Sequence, residues 1–390
     1  MKKSQRILFQ RGAFTLVELL VLVAAIGVVL GILFPAIQSA REDERATQCA
    51  FNLKKIALAI HNFHDVHQHM PPIAQNNEKY SRVNWAVMIL PYIDQASLWT
   101  QYANGGKLHM QKPSDPTSGR TDKECGPYRA NPWDWSVAIW YKNIEIYHCP
   151  ADSHSYDAAS EWFPGRLNYR ASLGDASLAS RSFAETGAQS RGPFMVANDA
   201  EGNLVRRLSS VVDGTSNTAM FSECLTHPTT AGPDDSTLDA RTGILTGKDP
   251  RYPETCMDLK DPDNPERFQA SESTRPWSGR RWADGLYVHS SFNTILPPNA
   301  ASCISGTRDD ERSIMTASSG HAGGVNVVLV DGSVRFISDA IDCGDLTADN
   351  DQIFERVRDS RRVISTNKSP YGVWGSFGSI NGGESVILDF

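Results

Sequence analysis

The stretch FTLVELLVLVAAIGVVLGILFPAI, Phe14 to Ile37, decides how the rest of the chain is read. It is a 24-residue run in which Glu18 is the only ionisable side chain. At a rise of about 1.5 Å per residue, a helix of this length spans roughly 36 Å, enough for a hydrocarbon core of about 30 Å. A carboxylate inside such a segment is costly unless something pairs with it, so Glu18 calls for a partner.

The eleven residues before Gly12 carry Lys2, Lys3, Arg6 and Arg11 and no acid. A short basic flank next to an apolar run is a topogenic signal that keeps its end in the cytoplasm. Everything beyond Ile37 is then expected outside, in the periplasm or at the cell surface, on a single span of the inner membrane. A cleaved secretory signal fits less well, because the apolar core is longer than the usual stretch of about 7–15 residues and no good A-x-A site follows it.

Beyond Ile37 the helix continues. Arg41, Glu42, Asp43, Glu44 and Arg45 form a solvated mixed-charge turn, and Cys49, Leu53, Ile56, Ile60 and Phe63 then recur at helical spacing. Pro71-Pro72 ends the element. One helix of about 50–55 residues, roughly 80 Å long, is expected. Its first half is apolar all round and its second half, residues 38–69, is amphipathic.

Arg11-Gly12-Ala13-Phe14-Thr15-Leu16-Val17-Glu18-Leu19-Leu20 resembles the cleavage and methylation motif of type IV prepilins and type II secretion pseudopilins. The resemblance implies that a prepilin peptidase removes residues 1–13 between Ala13 and Phe14 and N-methylates Phe14. Ala13 stands where that family usually has Gly. Cleavage after Gly12 instead would put Glu18 six residues into the mature chain, a poorer fit. The new amine at Phe14 would lie one helical turn from Glu18, which could pair with it or with that of a neighbouring subunit. Pro35 matches a proline that often bends the pilin helix.

A second resemblance covers nearly the whole chain. Its residues are Gln48-Cys49-Ala50-Phe51-Asn52-Leu53, His61-Asn62-Phe63-His64-Asp65, Tyr147-His148-Cys149-Pro150-Ala151-Asp152 and Val212-Asp213-Gly214-Thr215-Ser216-Asn217-Thr218. They end with Gly320-His321, nine residues, and Asp331-Gly332. Together they resemble the bacterial DUF1559 family, which also carries a solute-binding name, SBP_bac_10. The resemblance implies His321, Asp331 and Gly332 as motif residues and leaves the biochemical role open.

The motif also has a local reading. Val325 to Val330 is β-branched, Asp331-Gly332 suits a two-residue type I′ turn, and Ser333 to Ile337 returns. That register places His321 opposite Asp342. His321 is then either a structural imidazole bonded to a carboxylate or carbonyl, or a ligand or processing residue. The hairpin is assigned to 320–338.

The expected fold is α+β: a long, pilin-like N-terminal helix packed on an antiparallel sheet in an extracytoplasmic domain, 70–390. A loop-rich insertion is expected at 227–281. Val83 to Leu90 and Leu204 to Val212 read as strands or short helices. The net charge of −7 gives no case for nucleic acid.

The remaining constellations are weaker. His61, His64, His67 and His69 crowd a helix end with Asp65, where the helix dipole alone favours them; a metal site is the rarer reading. Asp261, Asp263, Asn264 and Glu266 offer oxygen ligands for calcium without the pattern of an EF-hand. No cofactor is assigned. The seven cysteines lie beyond the membrane, and the odd number leaves at least one unpaired. Cys49, on the helix stripe, is the expected free one, with up to three bridges among Cys125, Cys149, Cys224, Cys256, Cys303 and Cys343. Trp133, Trp135 and Trp140 read as strand and core rather than as a sugar platform.

No motif for a nucleophile elbow, a zincin or a phosphate loop occurs. A pseudopilin-like structural protein is therefore expected rather than an enzyme, with a prepilin peptidase, other pilin subunits and the membrane as partners. The alternative is a surface-displayed solute- or polysaccharide-binding protein that uses the leader for export and anchoring.

Overall fold

The computed structural model describes residues 15–75, 82–108, 124–134, 137–154, 164–179, 190–196, 206–228, 239–257, 259, 263, 267–269, 272–353 and 367–383. The chain divides into two compact units, Met1–Arg45 and Ala46–Phe390. Helix α1 (Leu16–His67) runs for 52 residues and contains Pro35. In the first unit every side chain from Thr15 to Arg41 is exposed. This stretch has the length and composition of a membrane span.

In the second unit the predicted stripe is buried. Cys49, Leu53, Ile56 and Ile60 are fully enclosed and Phe63 nearly so. Burial of each large apolar side chain contributes about 1.5–3 kcal/mol. The helix ends where Gln68 turns to a left-handed backbone (φ 61°) and its N–H returns to His64 O at 2.7 Å, before the two prolines.

Val83 to Leu90 resolves as a helical turn, α2 (Trp85–Met88), capped by Asn84 Oδ1, which accepts from Ala86 N. The 9-residue helix α3 (Ala96–Asn104) follows. Leu208–Ser210 is a 3-10 turn. Among the described residues ten short strands come next in chain order: β1 (Tyr169–Ser172), β2 (Leu178–Ala179), β3 (Ala219–Glu223), β4 (Ile244–Leu245), β5 (Thr274–Arg275), β6 (Ser291–Phe292), β7 (Ser302–Ile304), β8 (Arg312–Ile314), β9 (Gly324–Leu329) and β10 (Val334–Ser338). They form two five-stranded sheets, ordered β10-β9-β3-β1-β6 and β2-β8-β7-β4-β5. Both sheets are mixed, because β1 runs parallel to β6 and β4 parallel to β7. The fold is thus α+β as expected, with two mixed sheets in place of one antiparallel sheet. Within 227–281, β4 and β5 join the second sheet, and Leu245, Cys256 and Phe268 lie in its core.

Strand alternation divides the first sheet between two cores. Phe221, Val328 and Val330 pack with the α1 stripe, Trp85 and Tyr147. Val325, Val327 and Leu329 face Trp374 and Phe377 instead. Trp140 is core, its ring 5.6 Å from that of Trp282. Trp133 lies in a turn rather than a strand and is half-exposed beneath the Arg82 guanidinium, 4.3 Å from its ring centre. Trp135 lies outside the described residues.

The terminal hairpin forms one residue out of the expected register. Val334 pairs with Val328 and Phe336 with Asn326. The loop therefore has three residues, Val330, Asp331 and Gly332, with Gly332 at φ 84°. Gly332 N bonds Leu329 O, and Leu329 N bonds Ser333 O. This is a type I turn closed by a left-handed glycine rather than a type I′ turn. Val330 N–H points to the other side of the strand and bonds Thr218 O, next to the start of β3. The ladder ends at Gly324 and Ser338. His321 consequently does not face Asp342, whose carboxylate instead accepts from Gly344 N and Val373 N.

Candidate functional site

The residues expected to be processed, Ala13 and Phe14, lie outside the described residues. Glu18 begins the helix in a capping box with Thr15. Its Oε2 accepts from Thr15 N and Thr15 Oγ1, both at 2.9 Å, while Glu18 N donates back to Thr15 Oγ1 at 3.3 Å. Thr-x-x-Glu is legible in the sequence as such a box, and it gives Glu18 a local partner independent of any amine. Asp331 and Gly332 shape the turn. Asp331 Oδ1 accepts from Ser333 N and Ser333 Oγ, and both groups are at the surface.

His321 belongs to a different place. Its imidazole is buried beside Glu223, Cys49 and Cys149, and the four ligand atoms of this group lie within 4.8 Å of one another. Four separate segments deliver them. Cys49 comes from the α1 stripe. One helical turn on, Asn52 Nδ2 donates to His148 O at 3.0 Å, which holds the helix against the segment bearing Cys149. Cys149 N donates to Asn168 Oδ1, and Asn168 Nδ2 is in turn held by Asp152. Glu223 ends β3 on the face of Phe221. His321 follows Gly320, where a Cβ would sit 2.1 Å from Ala151 O. Only a glycine lets this backbone approach so closely.

Cys49 and Cys149 form a disulfide, with Cα atoms 5.2 Å apart. This corrects the expectation that Cys49 is free. A cysteine on a buried helical stripe reads like core, and its partner is 100 residues away. Cys256 and Cys303 form a second bridge, leaving Cys125, Cys224 and Cys343 as thiols.

His321 Nε2 lies 3.5 Å from Glu223 Oε1 and 4.0 Å from Cys149 Sγ. Glu223 is 1% exposed and His321 4%. Asn326 donates its N–H to Glu223 Oε2 at 2.8 Å and its Nδ2 to Oε1 at 3.0 Å. A buried carboxylate needs such partners to be tolerated. One imidazole nitrogen faces both the carboxylate and the sulfur. A nucleophile relay would use the two ring nitrogens on opposite sides, whereas donors converging on one point suit a small bound species. Glu223 was not anticipated. The sequence signal was a carboxylate closing the apolar strand AMFSE.

His64 and His67 are engaged elsewhere. His64 Nε2 accepts from Leu208 N, and burial lowers its pKa. His67 stacks on Phe63 and reaches the Tyr92 hydroxyl, and burial lowers its pKa as well. Of the acidic stretch weighed for calcium, only Asp263 falls within the described residues.

A family model described as SBP_bac_10, a protein of unknown function (DUF1559), matches residues 38–344. No curated protein and no solved structure matches the chain. The match spans well over half the sequence and includes all four residues of the buried cluster, and the chain belongs to this family.

Proposed function

We propose that this DUF1559 protein is a membrane-tethered, extracytoplasmic binding protein that holds a small ligand at the Cys49, Cys149, Glu223 and His321 cluster. The observation carrying this reading is that a buried imidazole, a buried carboxylate and a disulfide, delivered by four segments, converge inside the domain rather than on its surface. The exposed apolar half of α1 supports the tether. In this reading a prepilin peptidase cuts between Ala13 and Phe14 and methylates Phe14. Residues 14–37 then span the inner membrane, with the N-terminus cytoplasmic and the domain periplasmic. The proposal contains no catalytic step and no nucleic acid.

A pseudopilin-like subunit of a type II secretion or type IV pilus-like machine is the second reading. It is favoured by Glu18 within the apolar segment and by Phe51, Leu58 and Val66, which stay exposed on the outer side of α1. Mechanical shearing of native cells separates the two. A tethered binding protein stays with the membrane, and Glu18→Ala leaves its location unchanged. Recovery of the wild type in sheared filaments, abolished by Glu18→Ala, would reject the binding reading in favour of the subunit.

A further inference from the structure

We infer that the Cys49–Cys149 disulfide covers a latent zinc site, which reduction opens and oxidation closes. The inference rests on the cluster being the ligand site of the proposed function, and it names the ligand and the switch.

The donor set is two sulfurs, one imidazole nitrogen and one carboxylate oxygen. That mixture suits zinc in a closed tetrahedral site better than magnesium or calcium, which prefer oxygen alone. Zinc bonds of about 2.0–2.3 Å place neighbouring tetrahedral ligands roughly 3.3–3.8 Å apart. His321 Nε2 and Glu223 Oε1 already stand at 3.5 Å, within that range, while His321 Nε2 and Cys149 Sγ at 4.0 Å lie just beyond it. Only the two sulfurs, joined to each other, are wrongly placed, and breaking their bond frees them to part by side-chain rotation. Asn326 supplies the supporting contact. Its Nδ2 bonds Glu223 Oε1 and its N–H bonds Oε2, so the carboxylate is oriented before any metal arrives.

The chemistry balances with an external dithiol as reductant. Its thiolate attacks one sulfur of the bridge, the Cys49–Cys149 bond breaks, and the mixed disulfide resolves. The dithiol leaves as its own disulfide, and its two electrons and two protons remain as the Cys49 and Cys149 thiols. Zinc then displaces both thiol protons to solvent as two Zn–S bonds form, and the His321 and Glu223 lone pairs complete the site. Oxidation by a disulfide of the same class runs the sequence backwards and expels the metal. Cys256–Cys303 has no such neighbours among the described residues, where Cys49, Cys149, Glu223 and His321 are the group of this kind.

The test uses the detergent-solubilised full chain in a Cys256→Ala/Cys303→Ala background, exposed to zinc before and after reduction by a phosphine, then desalted. Expected are no bound zinc in the oxidised form and about one equivalent in the reduced form. His321→Ala and Glu223→Gln should each weaken retention at least tenfold, since losing even an outer-shell partner costs that much. Cobalt in the reduced wild type, its fold checked by tryptophan fluorescence, should give intense visible bands of a tetrahedral ion with thiolate charge transfer, a readout that needs no substitution. Equal zinc in both redox states, unchanged retention in His321→Ala, or a faint octahedral cobalt spectrum would each overturn the inference. None of these outcomes bears on membrane attachment, so failure here is distinct from failure of the tether.

Discussion

The Cys49–Cys149 bridge should be the largest single stabilising link in the domain. It closes a loop with a sequence separation of 100 residues, for which the chain-entropy relation gives about 4.7 kcal/mol. The Cys256–Cys303 bridge, at a separation of 47, gives about 4 kcal/mol by the same relation. A domain at the low end of the typical net stability of about 5–15 kcal/mol would come close to its unfolding threshold on losing either. The assay is urea unfolding of the full chain in detergent, followed by tryptophan fluorescence, with a chelator present so that no metal replaces the crosslink. Reduction is applied in two backgrounds. With Cys256→Ala/Cys303→Ala, it breaks only the bridge to the helix and should cost about 4–5 kcal/mol. With Cys49→Ala/Cys149→Ala, it breaks only the other bridge and should cost about 4 kcal/mol. Because each background already carries its own substitutions, packing losses at the mutated cysteines cancel. A cost below about 1 kcal/mol in the first background would refute the reasoning, being a small fraction of the entropy assigned to the loop. So would alkylation of Cys49 in unreduced wild-type protein.

Three further outcomes follow from the same geometry. His289 donates Nδ1–H to Trp277 O, and burial pushes its pKa down to about 3; His227 is likewise pushed down to about 4. Both fold neutral, so stability is full above the unfolded value of about 6.5 and falls as pH drops below it, by about 2 kcal/mol per histidine at pH 5; urea midpoints that do not move between pH 7 and 5, or a slope unchanged in His289→Gln, would contradict this. Gly320→Ala forces a Cβ against Ala151 O and should cost about 1–3 kcal/mol or more, whereas Gly332→Ala meets open space and loses only about 1 kcal/mol for its left-handed backbone; equal midpoints for the two would show the close approach to be absent. Glu223→Ala strands Asn326 N and Nδ2 and should cost about 2–4 kcal/mol, while Asp331→Ala at the exposed turn costs about 1 kcal/mol; thermal shifts in the opposite order would reject the assignment of the two carboxylates.

The long helix was legible because its signals are local. The apolar run and the stripe from Cys49 to Phe63 each need only neighbouring residues, and the stripe is buried as the spacing requires; the Thr15-x-x-Glu18 box is as local, but the sequence reading passed over it for an amine partner. The hairpin was half legible. Asp-Gly serves both two- and three-residue loops, and the local residues alone do not choose between them. The second sheet was hidden because strands such as β4 and β5 are two residues long and draw their order from partners far along the chain. The buried cluster was least legible of all. His321 stood out by its motif, but its partners lie on β3, after Tyr147 and on α1, and no spacing rule connects those places. The resemblance that singled out His321 together with Asp331 and Gly332 joined two separate roles. The turn residues set the hairpin, and the imidazole turns away from it to Glu223.

The proposed tether requires that the chain is processed and held in the membrane by the segment that begins at Phe14. Intact mass and N-terminal sequencing of the protein recovered from its native membrane test this directly. The account predicts an N-methylated Phe14 terminus and a mass short by residues 1–13. A chain that still begins at Met1 or Lys2 would contradict it.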